Sequence, residues 1–274
     1  MPQRGGASTA GGRGALICFE GLDRSGKSTQ AKRLFESLKK QGKVELWRFP
    51  DRQTPTGTLI KQYLENAENL DDRAVHLLYS ANRWEKMQDM VKKMEAGTTI
   101  LMDRYAYSGA AYTAAKNIPG ASLAWCQASD AGLPAPDLTI FLKLSATAAA
   151  SRKGYGEERY ENTKFQEQVY QQYATLAQQD PSCWTTLPAE EDMTLLSDKI
   201  RELVDTTLDD VRQAALSARL PAITFLYKTG LVTDHLEHAM VYALLGFSQT
   251  QTPAARITNL VRCPGSRLCC GPTL

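Results

Sequence analysis

The chain has 274 residues, 43% of them apolar, enough for one large α/β domain or two small ones with a sizeable core. A formal net charge of +2 excludes a general attraction to nucleic acid or to a membrane surface, and no apolar run approaches the length of a membrane span. Six cysteines without a C-x-x-C pattern fit a reduced intracellular protein, cytoplasmic or nuclear.

Residues 1–14 are small, polar and free of acids. A mitochondrial transit peptide has that look, but the glycines weigh against an amphipathic helix, and a disordered tail over residues 1–13 is expected. Residues 15–20 then form a short apolar run, predicted to be a buried parallel strand. It leads into Gly21-Leu22-Asp23-Arg24-Ser25-Gly26-Lys27-Ser28-Thr29, which matches the phosphate-binding pattern G-x-x-x-x-G-K-[ST] in full. A helix follows over 30–40, with Ala31, Leu34, Phe35 and Leu38 at helical spacing. Strand, glycine-rich loop and helix are what a polyphosphate site requires. The glycines let backbone N–H groups face the anion, and the helix N-terminus adds partial positive charge. Lys27 is placed to reach the β- and γ-phosphates, and the Ser28 hydroxyl to ligate Mg²⁺.

A second strand is predicted over 43–50, ending in Arg48-Phe49-Pro50-Asp51-Arg52. By itself Arg52 reads as a solvated loop charge, although it sits where open α/β sheets gather ligand loops. Helices are predicted over 56–66 and 70–95. Tyr79 and Arg83 share a face of the longer one, either packing the core or stacking on a base and bonding its edge. A third strand over 98–102 ends in Asp103-Arg104-Tyr105. Beside the phosphate loop, Asp103 is the expected magnesium-organising carboxylate and Arg104 a phosphate grip, the plainer option being a helix cap and a surface neighbour.

Further helices are predicted over 105–116, which carries Tyr112, and over 121–130. A fourth strand spans 136–144, followed by a short helix. Residues 151–161 mix two glycines with cations and carboxylates, a surface loop or a lid over ATP. A helix over 162–179, a fifth strand over 182–187 and a final helix over 190–214 complete the pattern. Strict alternation predicts one parallel sheet covered on both faces.

These motifs resemble those of the thymidylate (dTMP) kinases, its eukaryotic branch above all. The resemblance runs from about residue 13 to 213 through the phosphate loop, Arg48-Phe49-Pro50, His76 to Glu85, Asp103 to Gly109, Pro134 to Leu138 and Glu158 to Glu161. It implies a P-loop nucleoside monophosphate kinase-like α/β fold, with a five-stranded parallel sheet, helices on both faces and a short lid. It implies transfer of phosphate from ATP to dTMP, with Mg²⁺, by a homodimer. Gly21, Asp23, Arg24, Ser25, Gly26, Lys27, Ser28 and Thr29 would form the ATP side, with Arg152 packing on adenine. Ser28 and Asp103 would serve the metal. Arg24, Lys27, Asp103 and Arg52 would be catalytic. On the acceptor side Asp23 would contact the deoxyribose 3′-hydroxyl, and Arg52 and Arg104 would hold the dTMP phosphate. Arg83 would read the thymine edge under a stacked Tyr79, a position where the family more often has Phe. Phe49, Gly109, Tyr112 and Tyr160 would line the rest.

Other readings are a kinase for another pyrimidine nucleotide or deoxynucleoside, a catalytically silent nucleotide-binding relative, and a GTP-dependent switch. No N-K-x-D motif for guanine is present. Residues 215–274 depart from the family and are expected to be poorly ordered and dispensable. His235 and His238 with the cysteines at 263, 269 and 270 have poor spacing for zinc.

Overall fold

The computed structural model describes residues 12–65, 69–152, 159–160, 162–217 and Leu226. The charged segment 153–158, residue 161 and the extension beyond residue 217 other than Leu226 lie outside them, and with them the lid glycines, His235 and His238.

Five parallel strands form one sheet in the order β2-β3-β1-β4-β5. They are β1 (Leu16–Glu20), β2 (Val44–Arg48), β3 (Thr99–Asp103), β4 (Leu138–Lys143) and β5 (Trp184–Pro188). Central strands β1 and β3 are buried at every residue, as continuous apolar runs in a parallel sheet covered on both faces should be. Edge strands β2 and β5 are part-exposed and alternate. Register pairs Phe19 of β1 with Asp103 of β3, and Arg48 of β2 with Asp103 as well. The carboxyl ends of three strands therefore finish level. Connections leave β1 and β4 in opposite directions, toward β2 and β5, which opens a crevice at that edge of the sheet.

Eight helices complete the described chain: α1 (Lys27–Leu38), α2 (Pro55–Leu64), α3 (Asp72–Glu95), α4 (Ala106–Ala114), α5 (Leu123–Ala128), α6 (Ala146–Ala150), α7 (Thr163–Gln179) and α8 (Met193–Ser217). One sheet face, with Ile17, Phe19, Ile140 and Leu142, packs against Leu34 and Leu38 of α1 and Leu196, Ile200 and Val204 of α8. The other presents Cys18 and Glu20, the latter bonded to Ser108 of α4 and Tyr173 of α7.

Element boundaries differ from expectation where capping decides them. The first helix starts at Lys27, three residues before the predicted start at residue 30, with Gly26 at φ 95 as its N-cap. The helix expected over 121–130 is only Leu123–Ala128, started by Ser122, whose side chain accepts from Trp125 N–H. Arg13, expected in the tail, is part of the fold, with its guanidinium bidentate to Asp137 at 2.6 and 2.8 Å. Leu226, expected in a poorly ordered extension, is 5% exposed and exchanges backbone hydrogen bonds with Gly132 and Leu133.

Candidate active site

A cleft of about 540 Å³ opens at the carboxyl ends of β1, β2 and β3. Every predicted site residue lines it except Gly21 and Ser25 of the loop.

The loop between β1 and α1 can be made only with glycine at two points. Gly21 has φ 144, and a Cβ there would stand 2.7 Å from the Leu142 carbonyl oxygen, while Gly26 turns the chain into the helix at φ 95. Arg24 within the loop and Arg104 after β3 take φ values of 62 and 70. Holding each left-handed costs roughly 1 kcal/mol, a strain typical of ligand clamps.

Lys27 is buried and folds back on the loop, donating from Nζ to the Leu22 carbonyl at 2.5 Å and to Ser25 Oγ at 3.3 Å. Burial first, then the neighbouring charge of Arg104, push its pKa down to about 7, against the pull of Asp23, Asp103 and Glu20. The hydroxyl of Ser28 donates to Asp103 Oδ2 at 2.5 Å, and Arg48 Nε stands 3.7 Å from the same oxygen. A hydroxyl and a carboxylate meeting beside the loop are the hard oxygen donors that Mg²⁺ takes. Among the described residues no group of three or more His, Cys, Asp or Glu gathers. Arg152 donates to the Arg24 carbonyl at 2.6 Å and the Ala189 carbonyl at 2.8 Å, so it bridges the loop and the segment after β5.

In the same loop, Asp23 accepts from Arg104 Nη2, from the Tyr112 hydroxyl at 3.0 Å and from Gln166 Nε2 at 3.0 Å. Burial opposes its ionisation, but Arg104, Lys27 and the two hydrogen bonds hold the carboxyl below its ordinary pKa. The other arm of Arg104 donates to the Gly21 carbonyl at 3.2 Å and Ser108 Oγ at 3.0 Å. Behind it Glu20, fully buried, accepts from the N–H groups of Tyr105 and Ser108 at 2.9 and 3.1 Å, fixing how α4 leaves the strand.

Arg83 is 2% exposed, its Nε and Nη2 donating to Asp130 at 3.0 and 2.6 Å. It lies against Gly109, where a Cβ would stand 2.7 Å from Nη2. Tyr79 lines the same end of the cleft, in the helix turn before Arg83. Tyr160 packs edge-on to Tyr112 at 5.7 Å, and its hydroxyl meets that of Tyr63 at 3.1 Å. Phe49 and Arg52 line the cleft from the turn after β2. Among the described residues no helix is long and apolar enough to cross a membrane.

Sequence reasoning missed Gln166, Asp130 and Arg48. Gln166 is fully buried and grips Asp23 twice, its Oε1 accepting the Asp23 N–H at 3.2 Å. Arg48 stood inside a recognised motif but received no role. For the other two nothing local signals the partner, which lies 143 residues away for Gln166 and 47 for Asp130.

A family model described as thymidylate kinase matches residues 19–200. The thymidylate kinase of Arabidopsis thaliana is 48% identical over 202 residues, covering 73% of each chain. That of Danio rerio is 46% identical over 197 residues, covering 72% of this chain and 92% of its own. A solved structure of thymidylate kinase from Candida albicans superposes with a TM-score of 0.68 at 38% identity, covering 78% of this chain and 99% of that one. With two thirds of its length inside the family's pattern and its cleft built from the family's motifs, the chain belongs to the thymidylate kinase family.

Proposed function

We propose that this protein transfers the γ-phosphoryl group of ATP directly to dTMP, giving ADP and dTDP. The observation that carries the reading is that one cleft joins two differently built ends. One end has the phosphate loop, with Lys27, and Ser28 bonded to Asp103; the other has Arg83 and Tyr79, and Tyr112 bonded to Asp23 of the loop lies between them.

Two anions must approach in line for this reaction, so cations have to offset their repulsion. Lys27 and the loop N–H groups hold the donor's phosphates, while Arg52 and Arg104 hold the acceptor's. Arg24, in the loop on a left-handed backbone, would stabilise the charge of the group in transfer. An oxygen of the dTMP phosphate attacks the γ-phosphorus, that bond forms as the bond to the β-bridging oxygen breaks, and the electron pair leaves with ADP. The accepting oxygen is already ionised, so no general base is required. Ser28 and Asp103 would hold Mg²⁺, which supplies neutralising charge on the phosphates when bound.

Arg83 would donate to the thymine edge beneath Tyr79, and Asp23 would accept from the deoxyribose 3′-hydroxyl. Phe49, Gly109, Tyr112 and Tyr160 would enclose base and sugar. Arg152, already seated against the loop, would pack on adenine. Leu59, Leu77 and Trp84 of α2 and α3 are 47%, 51% and 39% exposed, apolar surface that supports a homodimer.

The test is a coupled ATP-turnover assay with dTMP, dUMP, dCMP, dAMP and thymidine. Fast turnover with dTMP, slower with dUMP and negligible with the rest, is expected. Preference for any other acceptor would overturn the roles of Tyr79 and Arg83.

A further inference from the structure

Arg83 is held rather than free to choose its partner. Two of its three guanidinium nitrogens, Nε and Nη2, are taken by the carboxylate of Asp130, which is completely buried. Ser80 Oγ donates to the same carboxylate at 2.9 Å, so Asp130 is itself pinned. Gly109 lets the guanidinium lie flat against α4. Within the described residues Nη1 makes no hydrogen bond, and Arg83 lines the cleft. The side chain is thus fixed with one nitrogen, Nη1, left to face the cleft.

The turn carrying Asp130 is anchored on two sides. Toward α3, the Ser129 carbonyl accepts from Trp84 Nε1 at 2.9 Å and stands 2.8 Å from Ser80 Oγ, whose single proton it shares with Asp130. Toward the far end of the chain, Leu226 N–H donates to the Leu133 carbonyl at 2.8 Å, and Gly132 N–H donates to the Leu226 carbonyl at 3.2 Å. These two bonds straddle the turn's exit, and the Leu226 side chain is buried there.

We infer that Asp130 sets the acceptor-base preference by locking Arg83 as a one-way donor, and that Leu226 of the C-terminal region is a positioning residue for that lock. The inference rests on the proposed dTMP kinase activity. A guanidinium can only donate. Fixed in place, it rewards a base with a carbonyl at the 4-position and leaves a 4-amino group facing another donor. Released, it could swing aside, and the two kinds of pyrimidine would be discriminated less. Asp130 and Leu226 therefore act through Arg83 and touch no reacting atom.

The test uses the full-length chain with Asp130→Asn, Leu226→Ala and the conservative Leu226→Met. Steady-state kinetics are measured with dTMP, dUMP and dCMP at saturating ATP, and with ATP at saturating dTMP. For Asp130→Asn, KM for dTMP should rise about tenfold or more, dUMP should be affected alike, and the preference for dTMP over dCMP should shrink about tenfold. KM for ATP should stay within about twofold. Leu226→Ala should show the same pattern at about threefold, and Leu226→Met should restore wild-type values. Should Asp130→Asn fail to accumulate as folded protein, the Leu226 pair decides alone. A preference between dTMP and dCMP that is unchanged in Leu226→Ala, or a loss equal for all three acceptors, overturns the inference. A wild-type protein with no preference for dTMP overturns instead the functional reading on which it rests.

Discussion

Lys27 donates its ammonium to the carbonyl of Leu22, five residues earlier, at 2.5 Å, so the loop's own backbone takes the charge destined for a phosphate. That substitute is weak, because burial and Arg104 leave the lysine with a pKa of about 7. Polyphosphate brought to the loop should restore the proton. ATP binding is therefore expected to take up protons between about pH 7 and pH 9, and affinity to fall as pH rises through that range. Calorimetry in buffers of different ionisation enthalpy reads the uptake directly. A binding enthalpy independent of buffer would contradict it.

The same depressed pKa carries a stability sign. Between about 7 and the unfolded value of 10.5 the unfolded chain holds more protons at Lys27, so the lysine's penalty on the ligand-free fold eases as pH rises. Lys27→Met should raise the Tm of the ligand-free protein at pH 7 by about 3 °C while lowering kcat about a thousandfold. Scanning calorimetry and the turnover assay check the two halves. A lower Tm would mean that the hydrogen bonds to Leu22 and Ser25 outweigh the cost of burial.

Asp23 has the opposite sign. Its carboxyl is held below the ordinary pKa, burial notwithstanding, by Arg104, Lys27, Tyr112 and Gln166. The stability it contributes is complete above the unfolded pKa near 3.9 and is lost as pH falls through the lower folded value. Asp23→Asn should flatten the acid limb of the stability profile below about pH 4, measured by urea unfolding across pH. An unchanged acid limb would remove Asp23 from that role.

Gly109→Ala should act on the acceptor alone. Its Cβ would enter within 2.7 Å of Arg83 Nη2, and a guanidinium pinned by Asp130 has little room to retreat. KM for dTMP should rise about tenfold with KM for ATP unchanged, at a stability cost of about 1–3 kcal/mol. Equal changes in both KM values would point to a general distortion of α4 instead.

Arg104 ties the phosphate loop to α4, gripping Asp23 with one nitrogen and the Gly21 carbonyl and Ser108 with the other. Arg104→Ala should lower kcat/KM for dTMP at least about a hundredfold. A wild-type rate would remove it from the site.

The legible parts of this molecule were those in which neighbours in sequence do the work together. The phosphate loop is contiguous, and the apolar runs of β1 and β3 declare a sheet buried on both faces. Asp103 and Arg104 were readable because a strand end delivers them to that edge. Gln166 looks like any polar residue near the start of an amphipathic helix until folding brings it to Asp23. Asp130 sits in a short turn whose importance comes wholly from Arg83 and Ser80, on another helix. Leu226 lies beyond α8, the last element among the described residues, and its place at Gly132 and Leu133 depends on backbone bonds that no side-chain pattern announces.

The most direct test of the account is ³¹P NMR of the full-length protein incubated with ATP, Mg²⁺ and dTMP. Signals of dTDP and ADP growing together in equal amounts, with no inorganic phosphate, are the predicted result. Unchanged ATP, or phosphate released without dTDP, would contradict direct transfer between the two ends of the cleft.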